Sequence, residues 1–382
     1  MACVAVGSLK GHTDTVLCCE VAPSKQQLAS GSEDGSLALF DLRTNVQAVR
    51  LVPACLGGEP VLSVTHHPKD DTKMFMSSGD RVLGVDLRSV GGEGSENTGD
   101  KGIYSSWQVT SNEEVNQVAV DSKGKFLAAA DDNGDVTVFD LQKNEVRRML
   151  SGIHSSIASS VSFRPHRPWE VCSGGLDSVM VRWDFSSGKH LQLWDMGGEA
   201  VQDGNQMFNP PHVNAIAVPT TDKRPFCRMV AVARGDGSIV VYDADATPRP
   251  VKAPGRGSSS KRGSTGPENE ARAHGPVKQG LMCCLDRSCG GHTSSAAHVT
   301  FPQWASGSQV LSGGNDCRIL LWDWQRAEVN TLGDEASKAS TQALLCSEHI
   351  GSKINWLATR DAGAENLYIS NTTEKIAIYS VK

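Results

Sequence analysis

Three cysteines and a histidine, Cys283, Cys284, Cys289 and His292, fall within ten residues of one another. Thiolates and imidazole are the usual ligands of tetrahedral zinc. The spacing holds no Cys-x-x-Cys pair, and His292 has a structural assignment given below, so no metal is expected. Phosphate chemistry fares no better. Gly124-Lys125 lacks the upstream glycine and the following Ser/Thr of a nucleotide-binding loop, and the run GGEGSENTG at 91–99 lacks the third glycine of a dinucleotide turn. Neither Gly-x-Ser-x-Gly nor His-Glu-x-x-His occurs. Arg234-Gly235-Asp236 spells an adhesion tripeptide, but its Asp-Gly sits where a hairpin turn is needed. With no convergent acid, base, nucleophile or metal set, the chain reads as non-enzymatic and without a cofactor.

The residues that do recur belong to a repeat. A Gly-His or lone His precedes an alternating apolar run, then comes Leu/Val-x-Ser-Gly-x-x-Asp-Gly, then a second run ending in Trp, Phe or Tyr followed by Asp. The clearest copy runs from His292 to Asp323 and ends VLSGGNDCRILLWD; others run from His154 to Asp184 and from His12 to Asp41. Weaker copies end at Asp86, Asp140, Asp243 and near Ser380, which makes seven. TVLCCEVAP, EVNQVAVDS and SSVSFRP alternate with period two, the signature of half-buried strands. Asp-Gly, Asn-Gly and Gly-Asp pairs lie between strand candidates, where tight turns demand positive φ.

At these residues the chain resembles the WD-repeat family, whose blades carry a hydrogen-bonded set of His, Ser/Thr, Asp and Trp. Two copies match in full: His154, Ser173, Asp177 and Trp183, then His292, Ser312, Asp316 and Trp322. The first copy has His12, Ser30 and Asp34 but Phe40 in place of Trp; the third has Asn133 and Phe139 for Asp and Trp. These residues read as structural, because a buried polar set must be satisfied throughout. The resemblance implies a single all-β domain, a seven-bladed propeller. Its blades would span about 10–50, 51–107, 108–150, 151–195, 206–247, 291–332 and 350–382. Residues 2–9 have no inner strands before them and would supply the missing outer strand of the last blade, closing the ring and removing two edges.

Insertions interrupt the regularity. Residues 89–106 and 194–211 read as loops. Residues 248–290 read as a disordered basic Gly/Ser-rich insertion. Between Arg249 and Lys278 it carries seven Lys/Arg against two Glu. A nuclear-import or nucleic-acid patch controlled by phosphorylation at Ser258, Ser259, Ser260 or Ser264 is one reading. A solvated loop is preferred, because Lys261-Arg262 is too short a basic run to be specific.

A net charge of −6 over 382 residues argues against nucleic acid as a general partner. The start MACVAVGSLKGH has no charged n-region or long apolar run, and no stretch approaches about 20 apolar residues, so neither a secretory signal nor a membrane span is expected. The 11 cysteines, several of them in strand-like runs (Cys18, Cys19, Cys172, Cys317), fit reduced thiols in a cytoplasmic or nuclear chain. The chain is expected to be monomeric by itself and to work through protein partners. Propellers resembling the substrate receptors of cullin-4 ubiquitin ligases carry Trp-Asp-x-Arg, which docks on the ligase adaptor. Here Asp41-Leu42-Arg43 and Asp86-Leu87-Arg88 end two successive blades without the Trp, while the intact Trp-Asp pairs at 183–184 and 322–323 lack the Arg. An arginine that merely closes a strand fits these residues as well. The resemblance therefore implies either a ligase substrate receptor, with an adaptor and an unknown client as partners, or a general scaffold or peptide reader.

Overall fold

The computed structural model describes residues 1–52, 56–90, 102–197, 209–246, 280–327, 343–361, 363 and 365–382. It is a seven-bladed β-propeller of seven four-stranded antiparallel sheets. The first blade runs outward from Val16–Val21 through Gln27–Ser32 and Leu37–Asp41 to Val46–Leu51. The last blade takes Ile354–Thr359, Leu367–Asn371 and Lys375–Val381 from the C-terminal end of the chain and Cys3–Lys10 from the N-terminal end. Cys3 pairs with Val381 and Lys10 with Lys375, so the ring is closed by strands from the two ends of the sequence.

Two outer strands lie where the sequence did not place them. Leu281–Leu285 is the fourth strand of the fifth blade, although the basic insertion was expected to extend to residue 290. Leu344–His349 is the fourth strand of the sixth blade, beyond its expected end at 332. The loop expected over 89–106 also ends early, because Ile103–Gln108 is the outer strand of the second blade. Cys317 sits in a turn at φ 61°, not in a strand. The serines at 258, 259, 260 and 264, the rest of the basic insertion before residue 280, and most of the 194–211 loop lie outside the described residues.

The core lies between blades. Cys18, Ala29, Leu37 and Leu39 of the first blade pack on Val61, Val64, Met74 and Met76 of the second, and similar clusters recur around the ring. Close approach explains the glycine of the Ser-Gly step. A Cβ at Gly174 would run into Val213, and one at Gly313 into Ile354, each at the start of the next blade's inner strand.

The inner strands face the channel with one edge unpaired, and buried N–H and C=O groups must find partners. Side chains of the preceding blade supply acceptors: Ser63 Oγ accepts from Val118 N at 3.1 Å, Gln117 Oε1 from Val161 N at 2.8 Å, and Ser160 Oγ from Ile216 N at 2.9 Å. Donors come from a β-bulge near the start of each of these strands. The bulged Asn116 donates to Ala158 O at 3.2 Å, Asn214 to Ala296 O at 2.8 Å and Asn355 to Val16 O at 2.9 Å. Asn355 spans the junction between the last and first blades. Asn355→Ala leaves that carbonyl without this donor and is expected to cost about 1–2 kcal/mol. The measurement is the urea midpoint, and a midpoint equal to that of the parent would show that the bridge adds nothing.

Candidate functional site

On one face of the ring, the two hairpins that join the first strand to the second and the third to the fourth come together in each blade. Here the Asp-Leu-Arg steps end the third strands of the first and second blades. In each, the carboxylate accepts the backbone N–H two residues on, and the guanidinium turns back onto the same carboxylate. Arg43 donates from Nε to Asp41 Oδ1 at 3.0 Å and from Nη2 to Oδ2 at 2.6 Å. Arg88 repeats this on Asp86 with the same two distances. This is a bidentate, charge-assisted fork. The Arg43 side chain hydrogen bonds hold the Asp41 carboxyl down at about 2, and Arg88 does the same for Asp86.

Both forks open into one cleft of about 320 Å³ between the two blades, walled also by Ser24, Gln27, Asp71 and Thr72. The side chains of Arg43 and Arg88 are 69% and 66% exposed, so the donors not spent on Asp41 and Asp86 remain available to a partner. Leu42, between Asp41 and Arg43, is buried and anchors its step. Asp71 fixes the width of the cleft by accepting Ser24 N–H across the blade junction at 3.1 and 3.3 Å. Elsewhere on this face, Arg326 Nε lies 2.9 Å from Asp323 Oδ2, three residues earlier.

The opposite face carries the histidines. His154 Nε2 meets Ser173 Oγ at 2.8 Å and its Nδ1 meets Asp177 at 3.2 Å, while Trp183 Nε1 donates to the same Ser173 oxygen at 2.8 Å. In the sixth blade His292 meets Ser312 and Asp316 at 2.9 Å each, and Trp322 donates to Ser312 at 3.1 Å. Burial opposes the charge on Asp177 and Asp316, yet the contacts with His154 and His292 and the hydrogen bonds from backbone N–H groups together keep both carboxyls below the usual range. In both blades the chain of contacts ends in a buried indole. His12 keeps Ser30 at 2.7 Å but turns Nδ1 to Ser36 at 2.8 Å, while Asp34 pairs with Arg50.

The WD domain, G-beta repeat model matches residues 3–41 and 283–323. The chain thus carries segments similar to the WD domain, G-beta repeat toward both ends of the sequence. The second matched segment contains the whole His292 set, and the first contains His12 to Asp41. The fourth blade lies outside both segments, although its hydrogen bonds have the same pattern. The chain is 25% identical over 398 residues to "WD repeat-containing protein 53 homolog" of Dictyostelium discoideum, covering 98% of this chain and 94% of the relative. It is 25% identical over 223 residues to "WD repeat-containing protein ATCSA-1" of Arabidopsis thaliana, covering 56% of this chain and 44% of that one. A 59-residue stretch is 46% identical to human "Ribosome biogenesis protein BOP1", 7% of that protein.

The remaining chemical candidates lie in the strands and turns of the propeller. Cys283 and Cys289 are buried, and burial pushes both thiols up; among the described residues no three His, Cys, Asp or Glu side chains gather as a metal would need. Arg234 is buried and pairs with Asp236 at 2.6 Å, so the adhesion-like tripeptide is a turn clamp. Among the described residues no helix is long and apolar enough to cross a membrane. Sequence reasoning overlooked Asp71, which carries no motif, and the bulge asparagines. The latter did leave a trace, since Val115-Asn116, Val213-Asn214 and Ile354-Asn355 each pair a β-branched residue with Asn at a strand start.

Proposed function

We propose that this propeller is a non-enzymatic interaction scaffold that acts as a substrate receptor of a cullin-4 RING ubiquitin ligase, docking on the ligase's propeller adaptor through Arg43 and Arg88. The observation that supports this is the convergence of two identically built Asp-Leu-Arg forks in one cleft. One strand-closing arginine serves its own turn. Two side by side, each already oriented by its carboxylate, present a planar donor array whose ordering cost has been met before a partner arrives. Asp41 and Asp86 are positioning residues in this reading, and the client binds elsewhere on the ring, in the cytoplasm, the nucleus or both.

The test is capture of purified adaptor by the parent and by Arg43→Ala plus Arg88→Ala. The double variant is expected to lose more than about tenfold in affinity. Its urea midpoint should stay near that of the parent, since both side chains are largely exposed. Equal capture by the double variant rejects the docking role of the forks. No capture by the parent returns the chain to a general scaffold without a ligase link.

A further inference from the structure

Among the described residues Trp169 is the one exposed tryptophan, at 40%, whereas Trp107, Trp183, Trp194, Trp322 and Trp324 are buried. It lies in the turn between the first two strands of the fourth blade, on the same face as the arginine forks. Its exposure is not looseness. Its ring packs at 5.5 Å against both Phe126 and Phe185, which contact each other at 5.1 Å. Its carbonyl accepts Phe185 N–H at 3.0 Å. Ser122 Oγ donates to Pro165 O at 3.4 Å, drawing the neighbouring hairpin of the third blade against this turn. An indole held rigidly on buried rings, with part of its surface bare, is the type of residue that dominates interface energetics.

The charges around it divide by direction, and the carboxylates of Asp140 and Asp184 at the neighbouring strand ends accept from their own turns. The carboxylates of the two hairpins are turned inward and occupied. Asp121 accepts from the backbone N–H groups of Lys123, Lys125 and Phe126. Glu170 pairs with the buried Arg164, and Asp245 of the fifth blade pairs with Arg164 and Arg167 at 2.8 Å each. The side chains left toward solvent are cationic: Lys123 is exposed, Arg167 is 50% exposed, and Lys125 Nζ stands 5.1 Å from the Phe126 ring centre. On a chain of net charge −6, these outward-facing cations beside a bare indole mark a surface of distinct character.

We propose that the Trp169 face of the third and fourth blades binds an acidic, extended segment of a partner protein, with an apolar side chain of that segment seated on the indole. Carboxylates of the segment meet Arg167, Lys125 and Lys123. A single indole with three cations is a small footprint for a nucleic-acid strand, which calls for a charged track and several stacking platforms. The proposal is independent of the adaptor reading, because none of these residues lines the cleft of Arg43 and Arg88.

The probe is a fluorescein-labelled synthetic peptide of Glu and Asp flanking a central Leu, titrated with the full chain and read by anisotropy. Two controls are the same peptide with Lys for every acid and a labelled single-stranded oligonucleotide. Saturable binding of the acidic peptide is expected, weakened by salt. Trp169→Ala should lower the affinity about tenfold or more, and Arg167→Glu with Lys125→Glu should abolish binding. Urea midpoints near that of the parent would show that both variants fold. Failure of the acidic peptide to bind, equal binding of the Lys peptide, or binding untouched by both variants overturns the proposal. Tighter, Trp169-dependent binding of the oligonucleotide also overturns it and assigns the face to nucleic acid.

Discussion

Ser312→Ala is expected to lower the stability of the protein by about 2–5 kcal/mol, well beyond the cost of Ser30→Ala. The Ser312 hydroxyl is shared: it is within hydrogen-bond distance of both His292 Nε2 and Trp322 Nε1, and serine, histidine and indole are all buried. Alanine strands two buried polar groups, and each uncompensated group costs about 1–3 kcal/mol. At Ser30 only His12 Nε2 loses a partner, because Phe40 stands where the sixth blade has an indole and Ser36 still holds Nδ1. Ser312→Thr keeps a hydroxyl and should recover much of the loss. Equilibrium urea unfolding of the three variants decides the matter. A Ser30→Ala cost equal to or above that of Ser312→Ala would show that the indole contributes nothing to the set.

The same comparison explains what the sequence made legible. Blades with a full His-Ser-Asp-Trp set announce themselves because a buried polar network tolerates few residue types. The first-blade variant was readable from His12, Ser30 and Asp34, but not the switch of His12 toward Ser36, since any serine in the turn looks alike in sequence. Outer strands face solvent on one edge and carry weak patterns. Leu281–Leu285 (LMCCL) alternates nothing, and its separation from Asp243 by a long polar insertion hid its membership of the fifth blade. The two Asp-Leu-Arg steps were visible as motifs, and their meeting in one cleft follows from consecutive blades being neighbours. Trp169 was passed over because a tryptophan flanked by prolines and arginine in a turn has no periodicity to mark it. Its meaning rests on Phe126 and Phe185, which come from two different blades.

Acid should destabilise the fold from about pH 6.5 downward, before the paired aspartates begin to titrate. His298 is buried in the inner strand of the sixth blade, its ring centre 4.2 Å from that of Trp356, and its Nδ1 finds no hydrogen-bond partner among the described residues. Burial pushes its pKa down to about 3. Burial likewise takes His12 down to about 4; the Asp34 carboxylate pulls the other way, and Arg50 adds to the lowering. In the unfolded chain both would titrate near the ordinary histidine value of about 6.5. Below that value the unfolded state binds protons that the folded state refuses, so stability is full above about pH 6.5 and falls as pH drops toward the folded values. The slope is on the order of 1 kcal/mol per pH unit for each histidine. Asp34, Asp41 and Asp86 lie below the usual carboxylate range and stay ionised through most of this window. Glu114 works in the opposite sense at its lower end: burial and the nearby Asp132, Glu59 and Glu33 raise its carboxyl, so folding favours its protonated form. Urea midpoints between about pH 7.5 and about pH 4.5 measure the net slope. His298→Phe keeps a ring against Trp356 and removes the proton site, and it should flatten the slope by about half. An unchanged slope would mean that His298 is not a source of the acid sensitivity.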